Sequence, residues 1–435
     1  LTSAFISILP TQLILKDSVW DVLASKIDIS PDKTISIHNF KIKNKAQFIN
    51  LDGVISKDEE KSLAVDMNDL DIDFIMSLLN FKPISVKGYA TGHADVFGVL
   101  KQPVFETDLF VKHTVLNNAF IGDAYLHSAW DRDKNELLAS GTFINGKDTV
   151  AKADGVYIPK NDSLDFNFEG KNLNLAFLQR YLGAIVQDVN GLGTGNVRMY
   201  GRSKTIGFEG NIFAKDARVT VGYLKTTYSF TDTVYMTRKS IALKNIKIYD
   251  EEKNQGTLNG IVTHDGMFRN LAYDLKVNAR NMLAINTQAT DNDYFYGKAY
   301  ATGTVHIYGN ERVSNIDVNA RSQPRTKIYI SAGSASTAND NTFITFVNHN
   351  DTANVKKTST SPPVASSVNL KMKFLLDVTP DAEIQLILDP KAGDMITGNG
   401  SGNLRYEYDD ADANNMKLYG NYTIDEGYYL FTLQN

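Results

Sequence analysis

The chain of 435 residues contains no cysteine, and this absence excludes several kinds of site together. Without thiols there is no disulfide, no thiolate metal site, no iron–sulfur cluster and no cysteine nucleophile. An excess of one charge is also lacking, because 45 Lys and Arg residues stand against 50 Asp and Glu residues. A nucleic-acid-binding protein is expected to carry a basic face, so the composition predicts that nucleic acid is not a partner.

Long apolar runs and catalytic motifs are missing as well. No run approaches the roughly 18 apolar residues of a membrane-spanning helix. The seven histidines are scattered without a His-Glu-x-x-His motif, and no serine lies in a Gly-x-Ser-x-Gly turn. These absences predict a protein that is not an enzyme and has no metal or cofactor. The sequence begins with Leu1 instead of Met, so we expect it to be a fragment.

The dominant pattern that is present is alternation of apolar and polar residues. Residues 164–169, 271–280 and 370–378 all alternate in this way. Such a period of two predicts strands with one apolar and one polar face, and the closely spaced turn residues favour an all-β chain. Only residues 71–80 and 175–187 carry an apolar stripe at helical spacing, which predicts two short amphipathic helices.

A glycine motif recurs about every 100 residues, at 88–98, 191–201, 299–309 and, more loosely, 398–408. Two and four positions after its second glycine the residue is apolar in every copy, and the positions between are polar. One face therefore stays apolar through all four copies. A unit of this length is typical of an array in which each repeat adds several strands to one sheet.

The glycine-rich turns have two interpretations. A phosphate loop would have to lead from a strand into a helix, and here an alternating strand follows each motif. Bends and bulges in a strongly curved sheet are the better explanation.

An extended sheet with one apolar face has to cover that face, either with a second sheet or by curling into a trough. Roughly 30 strands at about 4.8 Å each would give a length on the order of 140 Å. A curled trough suits acyl chains, whose burial is favourable by roughly 0.8 kcal/mol per methylene. The residues predicted to line it are Leu63, Val65, Met67, Ala94, Val96, Leu164, Phe166, Phe168, Val197, Met199, Leu271, Tyr273, Leu275, Val277, Val305, Ile307, Met372, Phe374, Leu376, Ile384, Leu386, Leu388, Leu404 and Tyr406.

The last part of the chain carries a family resemblance. Residues 374–404 read FLLDVTPDAEIQLILDPKAGDMITGNGSGNL, and residues 416–431 read MKLYGNYTIDEGYYLF. These stretches resemble the C-terminal domain of the TamB family, which is related to the AsmA-like proteins. The segment 286–297 is also similar to members that accompany a lipidated TamA-like barrel. The resemblance is strong over about 260–435 and fades toward the N-terminus.

The resemblance implies an elongated β-taco, or half-pipe groove, in the periplasm of a Gram-negative envelope. It also implies an inner-membrane anchor upstream of this sequence and contact of the C-terminal end with an outer-membrane barrel of the TamA/BamA type. The expected organisation is a repeated β-groove segment over 1–347, with repeats near 1–98, 99–201, 202–309 and 310–347 onward. This segment is followed by a mobile linker at 348–367 and by a TamB-like β segment at 368–435, which is expected to be truncated at its end.

Two functions follow as hypotheses. The leading one is a groove that conducts phospholipid acyl chains between the inner and outer membranes. The alternative is a factor that assists the assembly or secretion of outer-membrane proteins, and a structural spacer with a closed core is a third class. Four Asp-Ser/Thr-aliphatic tripeptides and a near relative at 351–353 resemble acceptors for O-glycosylation in some Gram-negative envelopes. The alternative interpretation is an ordinary turn that leads into a strand. These acceptors are Ser18, Thr149, Ser163, Thr233 and Thr352.

Overall fold

The fold is known from a computed structural model that describes most of the chain. The described residues are 3–15, 18–58, 60–73, 85–101, 103–182, 186–202, 205–265, 270–291, 295–331, 369–389, 393–412 and 416–431. The predicted linker, 348–367, and residues 74–80 of the first predicted helix lie outside them.

In the described residues, 26 strands form one sheet. The first thirteen strands are β1 Ala4–Ile8, β2 Thr11–Leu15, β3 Ser18–Val22, β4 Ser25–Ile29, β5 Ile35–Asn44, β6 Gln47–Ile55, β7 Ser62–Asp71, β8 Val86–Phe97, β9 Val104–Leu116, β10 Ala119–Asp131, β11 Glu136–Asn145, β12 Asp148–Ile158 and β13 Ser163–Asn174. The others are β14 Val186–Arg202, β15 Gly207–Val221, β16 Thr226–Thr237, β17 Ser240–Tyr249, β18 Gln255–Thr263, β19 Ala272–Thr287, β20 Phe295–Asn310, β21 Val313–Ser322, β22 Lys327–Ser331, β23 Asn369–Val378, β24 Glu383–Asp389, β25 Asp394–Asp409 and β26 Met416–Leu430. The predicted all-β, elongated sheet is confirmed.

Most strands pair antiparallel with their neighbours in the chain, so the sheet grows one row at a time. From β5 to β20 the spatial order is the chain order. At each end of this series, two rows are each made of two short strands laid end to end. Because four rows contain two strands each, the 26 strands form 22 rows, or about 100 Å at 4.8 Å per row. The sheet is therefore shorter than the sequence suggested.

The sheet contains one departure from antiparallel order, near its C-terminal end. β23 pairs parallel with β21, and β24 pairs parallel with β22. We define the two rims of the sheet as the two lines on which the strands end. Because β23 runs parallel to β21, Ser331 at the end of β22 and Asn369 at the start of β23 lie at opposite rims, and a hairpin turn could not join them.

Bulges interrupt the strands in a recurring way. Asp69, Asn172 and Asn281 have φ angles of 51°, 54° and 49°, in the left-handed region. At each of them the register skips, so that two residues oppose one on the next strand. Asn and Asp tolerate this conformation better than other non-glycine residues. Since a bulge bends its strand and increases the local twist, these positions curl the sheet.

The four glycine motifs fall inside β8, β14, β20 and β25. The first three copies are six rows apart, but only three rows separate β20 from β25. The spacing of about 100 residues in the sequence is therefore not matched by a constant spacing in the sheet. The reason is that the last interval includes the long connection between β22 and β23.

The second predicted helix is shorter than its periodicity indicated. A 3₁₀ turn, Leu175–Leu178, leads into one α-helical turn, Gln179–Leu182. Asn174 caps it by accepting a hydrogen bond, 2.9 Å long, from the N–H of Ala176. The prediction to residue 187 is wrong, because β14 begins at Val186 and pairs with β15. In the described part of the chain, no helix has the length and apolar character needed to cross a membrane.

Candidate functional site

The apolar residues predicted from the repeats lie on lines that cross successive strands, and such a line is here called an apolar row. One row places seven apolar residues of neighbouring strands opposite one another in turn. Its members are Leu258, Val277, Val305, Val318, Phe374, Tyr406 and Leu418. Four of these seven were predicted groove residues, and no polar residue interrupts them.

Twelve of the other predicted residues lie opposite one another in six pairs. Leu275 lies opposite Ile307, and Leu376 lies opposite Leu404. Further pairs are Phe168 with Val197, Phe166 with Met199, Leu63 with Val96, and Val65 with Ala94. The structure therefore brings the predicted residues together within each stretch of the sheet, along its length, and not at a single point.

Most of these side chains are neither fully buried nor fully exposed. Among them, Tyr406 is 8% exposed, whereas Phe168 and Leu388 are each 38% exposed. The apolar face is therefore incompletely covered along the described part of the sheet. Leu271 is half-buried but lies just before β19, outside the strand.

Several residues of the same face were missed by the sequence analysis. Ile316 and Val318 of β21 lie opposite Ile307 and Val305. The signal was present, because residues 315–320 alternate between polar and apolar side chains. Ile328 and Ile330 of β22 belong to the same face beyond a break in the row.

The opposite face is polar and carries pairs of His and Asp on neighbouring strands. His93 Nδ1 lies 2.6 Å from Asp66 Oδ1, and His127 Nδ1 lies 2.7 Å from Asp108 Oδ1. Hydrogen bonds to Asp66 and then Asp95 raise the pKa of His93. Arg198, one of the polar residues of the second glycine motif, donates two hydrogen bonds to Asp165 and lowers the pKa of that carboxyl.

The strands do not run straight from one rim of the sheet to the other. Through the register, Tyr406 is level with Phe374, Val318 and Val305. The ring of Phe295 nevertheless lies 6.0 Å from the ring of Tyr406, although Phe295 is ten residues before Val305 on the same strand. In a flat sheet these ten residues would separate the two levels by about 33 Å. The strands are therefore bent, and their two halves, here called the two arms, face each other across a concave apolar surface.

The possible modification and metal sites can also be placed. Ser18 begins β3 and is exposed, whereas Thr149, Ser163 and Thr233 lie half-buried in β12, β13 and β16, and Thr352 is outside the described residues. Their modification stays a prediction. Within the described ranges, no group of three or more His, Asp or Glu residues could hold a metal ion.

Comparison with known proteins gives one positive result. Residues 244–435 match the TamB C-terminal domain family. No curated protein matches the chain, and no solved structure matches it. The family indicates a role in outer-membrane assembly or lipid transport, in the Gram-negative periplasm, together with a TamA-like outer-membrane protein. The match begins before the glycine motif of β20 and extends to the last residue, so the C-terminal portion of this chain is a TamB-family C-terminal domain.

Proposed function

We propose that the concave face conducts phospholipid acyl chains along the sheet between the inner and outer membranes. The observation that carries this proposal is the row from Leu258 to Leu418, in which seven neighbouring strands offer only apolar side chains. A continuous apolar surface of this kind gains roughly 0.8 kcal/mol for each methylene that it removes from water. It offers no charged group that would bind a headgroup, so the headgroup would remain outside in water.

The proposal includes the partners that the family implies. An inner-membrane anchor would precede the present sequence, and a TamA-like barrel would receive the C-terminal end. The protein would have no catalytic residue and no cofactor, because binding and release of acyl chains needs only apolar contact.

Site-specific photo-crosslinking in the full-length protein within the envelope tests this function. A photoreactive residue at Val305 should capture phospholipid, identified by mass spectrometry of the adduct. The matched control is Thr304, which is exposed on the opposite face of the same strand. Equal labelling at both positions, or none at Val305, would contradict the proposal.

A second candidate is the holding of unfolded β-barrel segments for the outer-membrane partner. One observation favours it: β26 pairs with β25 alone among the described strands, and both of its faces expose apolar side chains, including Leu418, Tyr428 and Tyr429. An unpaired edge can add a strand from another polypeptide. Crosslinks from β26 to barrel polypeptides, without lipid at Val305, would favour this function over the first.

A further inference from the structure

Four aromatic rings form a chain across the concave face. The centroid of Tyr223 lies 6.1 Å from that of Phe295, Phe295 lies 6.0 Å from Tyr406, and Tyr406 lies 5.4 Å from Phe374. The first two contacts are edge-to-face, with interplanar angles of 69° and 86°, which is a favoured geometry for aromatic pairs.

These rings come from both arms of the bent strands. Tyr223 lies in the turn between β15 and β16, and Phe295 begins β20, so both are at the same rim. Phe374 and Tyr406 belong to the other arm, at the level of Val305. The alternation along β20 places Phe295 on the same face as Val305, because the extra residues of both bulges between β19 and β20 are on β19. The contact between Phe295 and Tyr406 therefore joins the arms through the interior.

The contact leaves no passage between the two arms at this point. An acyl chain between two rings needs a carbon contact of about 3.5–4.0 Å on each side, so the rings would have to be about 7–8 Å apart or more. Phe295 and Tyr406 are in direct contact, and Tyr406 is among the most buried side chains of the predicted groove.

We propose that Tyr223, Phe295, Tyr406 and Phe374 form an aromatic constriction that closes the groove and has to open for an acyl chain to pass. The proposal rests on the proposed function, since it concerns the passage of the same acyl chains.

The chain contains no cysteine, so the constriction can be locked specifically. In the full-length protein, Phe295→Cys and Tyr406→Cys are combined and joined with a short bis-maleimide after folding. Photoreactive residues at Val197 and at Leu418, on the N-terminal and C-terminal sides of the constriction, report phospholipid. We expect that locking abolishes the lipid adduct at one of these two positions and leaves it at the other. The same double variant without the reagent is the folded reference, and it should label both.

A second variant tests whether the ring of Phe295 itself narrows the passage for phospholipid. Phe295→Ala should increase the adduct on the side that locking depletes. Tyr296→Ala is the matched control, because Tyr296 stacks on Tyr329 at 4.6 Å on the other face of the same strand, and it should leave both adducts unchanged. Equal labelling at Val197 and Leu418 with and without the lock would overturn the constriction while leaving lipid transport intact. Absence of lipid at both positions in the unlocked protein would overturn both proposals.

Discussion

The hydroxyl of Thr302 on β20 accepts a hydrogen bond, 2.8 Å long, from the backbone N–H of Asn281 on β19. The same relationship joins Thr91 to Asp69 and Thr194 to Asn172, at 2.9 and 3.0 Å. In each case the threonine precedes the second glycine of the motif, and its partner is the left-handed residue of a bulge. The recurring Thr-Gly pair therefore has a structural role, which is to complete a bulge on the preceding strand.

Removing the hydroxyl of Thr302 should lower the stability of the bulge at Asn281. Thr302→Val keeps the shape of the side chain but leaves the N–H of Asn281 without its acceptor. Because the site is exposed to water, we expect a loss of about 0.5–1.5 kcal/mol in the free energy of unfolding. Thr304→Val, two residues along on the same exposed face, is the control and should cost less. Urea denaturation of both variants measures the difference, and equal costs would contradict the assigned role.

The second glycine of the motif should tolerate no side chain. A Cβ at Gly303 would lie 2.2 Å from the carbonyl oxygen of Asn319, and a Cβ at Gly195 would lie 2.1 Å from that of Asn211. Gly303→Ala is expected to cost about 1–3 kcal/mol or more, because backbone atoms have to move. Gly170→Ala is the matched control, since its nearest neighbour would be an ordinary 3.6 Å away. A Gly303→Ala variant as stable as Gly170→Ala would refute this explanation of the motif.

Acid should reveal the contribution of Glu252. Hydrogen bonds from Lys298, then Tyr300 and Arg325, lower the pKa of Glu252 from 4.5 to about 2. A carboxyl group with a lowered pKa stabilises the folded state fully above pH 4.5 and loses this effect as the pH falls toward 2. Glu252→Gln should therefore lower the Tm at neutral pH, and the difference from wild type should shrink between pH 4.5 and 2.

The neighbouring exposed residue supplies the comparison for that measurement. Glu251→Gln should change the Tm little at any pH. Melting curves followed by circular dichroism decide the question, and a Glu252→Gln difference that persists undiminished at the lowest pH would contradict the assignment.

The contribution of His93 to stability should depend on pH in the opposite direction. Its pKa is raised by Asp66 and then Asp95, so its contribution to stability is complete below pH 6.5 and disappears as the pH rises through the raised value. His93→Gln should be less stable than wild type at about pH 5.5 and similar to it at about pH 8.5. NMR titration adds a direct test: Asp66→Asn should lower the pKa of His93, and an unchanged value would exclude Asp66 as the main cause.

The sequence predicted those features that depend on local alternation. Val277 and Val305 were expected on one face, and the register places them opposite each other, because the side chains of a strand point alternately to its two faces. The same alternation marks Ile316 and Val318, which were overlooked because they follow no glycine motif. The strand-like character of the motif itself was also predicted correctly.

The contact between Phe295 and Tyr406 could not be predicted in this way. It depends on where the bulge at Asn281 bends the strand, and that position is fixed by pairing with Thr302 on another strand. Parallel pairing of β21 with β23 is likewise not encoded in either strand alone, since it depends on the path of the chain between them. The helical periodicity around 186 failed for a related reason, because pairing of Val189 with Val219 outweighs the local preference.

The parallel pairing has a consequence for the order in which the molecule folds. From β5 to β22 each new strand can pair as soon as it has been synthesised, since its partner strand is already in place and the loop to be closed is short. β23 has to wait until the 37 residues after Ser331 have also been synthesised, so its first contact with β21 closes a much longer loop. We therefore expect the rows up to β22 to form a folding unit to which the last four strands are added as a second step.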